Sequence, residues 1–119
     1  MANVLVVDDA SFMRKRMISV LEELGHSVAG EAENGKEAIG MYVKLKPDLV
    51  LLDITMPEVS GKDALKQIIK IDKNAKIVMC SALGSEQVIA ECIVAGAKAY
   101  IVKPYNKEKV DETIKKIIP

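Results

Sequence analysis

The sequence predicts an α/β protein: five parallel strands, each followed by a helix, in a (βα)5 three-layer sandwich with strand order 2-1-3-4-5. Three observations carry this. Short apolar runs alternate with amphipathic helical patterns along the whole chain, the signature of a parallel sheet covered by helices on both faces. Two of the runs, Val4–Val7 and Leu49–Leu52, contain no polar residue, as expected of strands buried on both sides. Both end directly in acid, at Asp8 and Asp9 in one case and Asp53 in the other. Placing those acidic ends side by side puts the topological switch point next to the first strand, at the rim where open parallel sheets bind ligands.

Each element has its own local signal. The first strand reads Asn3–Val7. A helix follows from Ser11, the expected N-cap, with Met13, Met17, Val20, Leu21 and Leu24 on one face, and Gly25 ends it. The second strand is expected at Val28–Glu31. The second helix follows Asn34, with Glu37 three residues on as its capping-box partner; it carries Ala38, Ile39 and Tyr42 and stops before Pro47. Strand three covers Leu49–Asp53, and Pro57 cannot continue a central strand. Helix three follows Ser60, paired with Asp63, and presents Leu65, Ile68 and Ile69. Strand four is expected at Lys76–Cys80. Helix four begins near Ser85, shows Val88, Ile89, Cys92 and Ile93 on one face and ends at Gly96. Strand five reads Ala99–Val102, and helix five opens after Asn106 with Val110, Ile114 and Ile117 inward. No linker or low-complexity tract interrupts the series, so residues 1–119 are expected to form one domain with no output domain attached.

Composition narrows the function. A chain of 119 residues buries about two thirds of its unfolded surface. Half its residues are hydrophobic, with no Trp and one Phe, so the core must be aliphatic. Lys plus Arg equals Asp plus Glu, 17 each, which leaves no electrostatic footprint for nucleic acid or an anionic membrane. No stretch approaches a transmembrane length and the N-terminus lacks a basic leader. A cytoplasmic monomer is expected, with Cys80 and Cys92 as structural thiols in a reducing compartment.

The loops after strands one, three, four and five converge on one rim, which would carry Asp8, Asp9, Asp53, Thr55, Ser81 and Lys103. Asp53, a lone acid after LVLL, has no local role; the others each have an ordinary reading, the Asp pair as loop or cap residues, Ser81 as a turn residue, Lys103 as a solvated loop lysine and Tyr100 as a core or edge aromatic. Together, at matching strand ends, they point to chemistry. Two carboxylates about 4 Å apart repel by roughly 4 kcal/mol at an effective dielectric of 20, so three of them protonate or recruit a cation. Hard oxygen donors with room for water suit Mg²⁺. A carboxylate beside that ion can attack phosphorus and form an acyl phosphate. Lys103 would supply fixed positive charge for the phosphoryl oxygens, and Ser81 a hydroxyl donor.

At this point the chain resembles the receiver domains of two-component response regulators, above all their stand-alone chemotaxis members. The resemblance is carried by VVDDASFMR at Val6–Arg14, GEAENGKEAI at Gly30–Ile39, KPDLVLLDITMP at Lys46–Pro57, CSALG at Cys80–Gly84 and AGAKAYIVKPY at Ala95–Tyr105. It implies a flavodoxin-like fold and a phospho-acceptor at Asp53. It implies Mg²⁺ held by Asp9, Asp53 and the carbonyl of Thr55, with Asp8 acting through water. Ser81 and Lys103 take phosphoryl-contacting roles, Tyr100 is the switch aromatic, and the Lys103–Pro104 peptide is cis. The implied activity is signalling, limited to the protein's own phosphorylation and dephosphorylation. The implied partners are a CheA-like histidine kinase, a flagellar motor switch protein or archaellum adaptor, and a CheC/CheX-like phosphatase. The output surface spans roughly Ser85 to Ile118.

Three alternatives were open on the sequence alone. A phosphorelay intermediate would pass the phosphate to another histidine protein. A flavin protein of the same topology would need a phosphate-cradling loop after strand one, where DDASF instead repels phosphate. An aspartyl-nucleophile phosphatase wants an acid two residues after the nucleophile, and Thr55 stands there.

Overall fold

A computed structural model describes residues 1–56 and 59–118; Pro57, read above as a strand terminator, lies outside the described residues. The strands are β1 (Asn3–Val7), β2 (Ser27–Ala32), β3 (Leu49–Leu52), β4 (Ile77–Ser81) and β5 (Ala99–Val102). They alternate with α1 (Ser11–Glu23), α2 (Gly35–Leu45), α3 (Gly61–Ile71), α4 (Glu86–Val94) and α5 (Lys107–Ile117). All pairings are parallel and the order is β2-β1-β3-β4-β5, as the acidic strand ends require.

The apolar strands explain the layers. Successive side chains of a strand face opposite ways, so a run with no polar residue must feed two cores. Leu5, Val7, Val50, Leu52, Ile77 and Met79 enter one core with Tyr42 of α2 and Leu65 and Ile68 of α3. Val4, Val6, Leu49, Leu51, Val78 and Cys80 enter the other with Met17 and Leu21 of α1 and Val110 and Ile114 of α5. Every residue of β3 and β4 is buried, whereas the edge strands β2 and β5 are only partly so.

Four helices start where local chemistry says they should. The side chains of Asn34, Ser60, Ser85 and Asn106 accept the backbone N–H three residues on, at 2.8, 3.2, 3.2 and 2.8 Å. Helix α1 is the exception. Ser11 lies inside the helix and Ala10 takes the N-cap position with no side-chain cap; the Asp8 carboxylate accepts the Ala10 N–H at 3.0 Å, so an acid of the rim orders the turn instead. Strand bounds shift by a residue: Asp53 falls just past β3, while β4 extends to Ser81 and β2 gains Ser27 and Ala32. The expected apolar face of α4 holds for Cys92, which is buried, and for Val88, which packs half-buried against the core. Ile93 departs from it at 44% exposed, because this nine-residue helix rests on the partly open edge strand β5. Cys80 and Cys92 are free and buried.

Candidate functional site

Register builds the site. Val7 of β1 pairs with Leu52 of β3, so the residues that follow, Asp8 and Asp53, emerge side by side. The Asp53 N–H donates to the Val7 carbonyl at 3.1 Å, and the Asp8 N–H donates to that of Ala32 at 3.1 Å. Each acid is therefore anchored by a last rung of the ladder while its side chain leaves the sheet. One carboxylate oxygen from each of Asp8, Asp9 and Asp53 lies within 4.8 Å of the other two. Asp8 and Asp53 are buried and Asp9 is exposed, so the cluster opens to water on one side.

Lys103 closes the other side. Its N–H donates to the Ser81 carbonyl at 2.9 Å, and its Nζ stands 2.6 Å from Asp8 Oδ2 and 3.8 Å from Asp53 Oδ2. The Lys103–Pro104 peptide is cis. Burial pushes the Asp53 carboxyl up; Lys103 opposes this and Asp8 adds to it, leaving Asp53 above its ordinary 3.8. Burial pulls the Lys103 ammonium down, but the hydrogen bond to Asp8 and the charges of Asp53 and Asp8 outweigh it, so Lys103 ends above its ordinary 10.5. Burial pushes the neighbouring Cys80 thiol up to about 12, which removes it as a nucleophile at neutral pH.

Ser81 is 1% exposed at the end of β4. Its Oγ accepts the Leu83 N–H at 3.3 Å, and the half-buried Tyr100 donates its hydroxyl to the Leu83 carbonyl. Leu83 thus links a serine at the acid pocket to an aromatic at the sheet edge. Thr55 is exposed on the segment that leaves Asp53.

Two residues at the site had no role in the sequence reading. Gly61, the first residue of α3, donates its N–H to the Ile54 carbonyl at 2.8 Å, and a Cβ there would stand 1.7 Å from the Asp53 carbonyl oxygen. Only glycine lets α3 start against the main chain of Asp53; a Gly following a helix N-cap was the available signal. Arg14 reaches back from α1, its Nη1 donating to the Asp8 carbonyl at 2.7 Å and its Nε to Glu31 Oε1 at 3.0 Å. No spacing rule reveals that contact.

Chemically, among the described residues, the pocket sets three carboxylates against one ammonium. Partial burial makes the residual negative charge unfavourable, and the donors are hard oxygens with an open, wet side. A small divalent cation that keeps several waters fits such a set. The arrangement also offers a desolvated carboxylate as nucleophile and a fixed cation within 4 Å of it.

A family model described as "Response regulator receiver domain" matches residues 4–115. The chain belongs to that family. It is 53% identical to the chemotaxis protein CheY of Thermotoga maritima, over 96% of this chain and 95% of the relative. It is 48% identical to the chemotaxis protein CheY of Bacillus subtilis, over 97% and 96%. Among solved structures, the CheX–CheY–BeF3–Mg²⁺ complex from Borrelia burgdorferi superposes with a TM-score of 0.96 at 39% identity, covering 98% of this chain and 89% of that one. The sequence-predicted fold and the receiver resemblance both hold. Among the described residues, no helix is long and apolar enough to cross a membrane.

Proposed function

We propose that this protein is a stand-alone chemotaxis response regulator, a single receiver domain over residues 1–119, phosphorylated on Asp53 by a CheA-like histidine kinase. The observation that carries this is the Asp53 carboxylate, 7% exposed, with Lys103 Nζ 3.8 Å away and Asp8 and Asp9 alongside. Desolvation makes this carboxylate more basic than an ordinary one, which favours its oxygen as the attacking group on phosphorus. As the new O–P bond forms, the phosphohistidine N–P bond breaks and the imidazole leaves. Lys103, positively charged through the neutral range, offsets charge on the phosphoryl oxygens, and Ser81 Oγ donates to one of them. Asp8, Asp9, Asp53 and the Thr55 carbonyl would hold Mg²⁺, whose chemistry is to neutralise developing charge and template the phosphoryl oxygens. The solved CheY complex with BeF3 and Mg²⁺ supports this choice of ion.

Once Ser81 turns toward the phosphoryl group, its bond to Leu83 is lost and Tyr100 is free to turn inward. That change is read out on α4, β5 and α5 by a flagellar motor switch protein or an archaellum adaptor. CheX in the solved complex supports a CheC/CheX-like phosphatase as a further partner. The protein works in the cytoplasm as a signalling protein and catalyses only its own phosphorylation and dephosphorylation. Incubation with acetyl phosphate and Mg²⁺, followed by intact-mass measurement, tests the reading. A gain of one phosphate that is absent in Asp53→Asn supports it; no gain in the wild-type protein overturns it.

A further inference from the structure

We propose that Arg14, held by Glu31, is a positioning residue for the acidic cluster: it fixes the Asp8–Asp9 peptide and so sets where the Asp9 carboxylate points. This rests on the Mg²⁺ site proposed above. Arg14 ties α1 to the loop after β1 and to β2, donating to the Asp8 carbonyl at 2.7 Å and ion-pairing with Glu31 of β2 at 3.0 Å. Its side chain is 15% exposed, so the guanidinium is held rather than waving in solvent. Glu31 is presented from β2, where its backbone is registered against Val6 of β1, and its half-exposed carboxylate meets the guanidinium from the solvent side.

The geometry assigns each donor a separate task. The carbonyl that accepts from Nη1 belongs to the peptide joining Asp8 to Asp9. A peptide is planar, so one strong hydrogen bond to its oxygen fixes its plane, and with it the start of the Asp9 side chain. Asp9 needs such help. Asp8 is tied down by its bonds to the Ala10 N–H and to Lys103, whereas Asp9 is exposed. A charge-assisted bond of this kind is stronger than a neutral one, and the planar fork of arginine serves a carboxylate and a carbonyl at once, which a lysine point charge does not.

The sign of the effect separates positioning from simple charge. Arg14 is a cation near the cluster. If charge were its only influence, removing it would tighten Mg²⁺ binding; if it positions Asp9, removing it weakens binding. Groups that orient metal ligands typically contribute on the order of tenfold or more in affinity.

The test is calorimetric titration of Mg²⁺ into the unphosphorylated full chain, with acetyl phosphate labelling as a second readout. Arg14→Met, which keeps the apolar stem, is expected to raise the Mg²⁺ dissociation constant about tenfold and to lower the labelling rate at subsaturating Mg²⁺ far more than at saturation. Glu31→Gln is expected to weaken binding in the wild-type background and to change nothing further in the Arg14→Met background, as residues acting in series do. Unchanged or tighter binding by Arg14→Met, at any unfolding midpoint, overturns the role. Equal losses for Glu31→Gln in both backgrounds overturn the part given to Glu31. If the wild-type protein binds no Mg²⁺, the site reading itself fails and this role falls with it, a result distinct from normal wild-type binding beside an unaffected Arg14→Met.

Discussion

Replacing Lys103 with Met removes the ammonium that, among the described residues, faces Asp8 and Asp53 and leaves their carboxylates buried. At an effective dielectric of 20 the two attractions, at 2.6 and 3.8 Å, amount to about 6 and about 4 kcal/mol. Desolvating the three groups cancels much of this, and breaking a buried pair from one side typically costs about 3–5 kcal/mol. Taking roughly 3 kcal/mol, and an unfolding entropy of roughly 2.1 cal/mol/K per residue, the metal-free variant is expected to melt about 12 °C below the wild-type protein. The loss should depend on pH with a defined sign. A lysine whose folded pKa lies above its ordinary 10.5 stabilises fully below that value and loses its contribution as pH rises through the folded one. The two melting curves should therefore converge above pH 10.5. Adding Mg²⁺ should raise the midpoint of the variant more than that of the wild-type protein, because an uncompensated carboxylate cluster binds a cation more tightly. Calorimetric scans across pH, with and without Mg²⁺, measure all three. A neutral-pH drop below about 3 °C, or equal gains from Mg²⁺ in both proteins, would refute the charge balance described here.

Four further substitutions have expected outcomes. Asp53→Asn should raise the metal-free melting point at neutral pH. The folded carboxyl lies above its ordinary 3.8, so its ionisation opposes folding as pH rises from that value through the folded pKa; the gain should vanish near pH 3.8, and a gain persisting unchanged there would contradict the sign. Gly61→Ala, whose Cβ would stand 1.7 Å from the Asp53 carbonyl oxygen, should destabilise by about 3 kcal/mol or more. Gly40→Ala, within α2 with nothing within 4 Å, should stabilise by about 0.5–1 kcal/mol; urea unfolding of the pair checks both. Thr55 and Leu83 are exposed beside the Asp53 pocket, and neither side chain orients an attacking water well, so self-dephosphorylation should be slow. Thr55→Asn should accelerate it, as followed by decay of the labelled protein.

What the sequence determined by itself is whatever depends on neighbours a few residues away or on period. Apolar runs identified the strands. Asn34, Ser60, Ser85 and Asn106 marked four helix starts, because an N-cap bond spans three residues. Acids directly after two unbroken strands identified the pocket and suggested that those strands adjoin. Tertiary structure decided the rest, because those contacts cross the chain. Lys103 meets Asp8 across 95 positions and Arg14 meets Glu31 across 17, so their partners exist only once all five strands are assembled in the order β2-β1-β3-β4-β5. The Ser11 N-cap expectation failed for a related reason: Asp8, already fixed at the rim, ordered the first turn of α1. On α4 the expectation failed at Ile93 alone, because the sequence shows apolar residues but not the width of the edge strand beneath them. Periodicity shows which side of a helix can be buried; how much of it is buried depends on the surface it lands on.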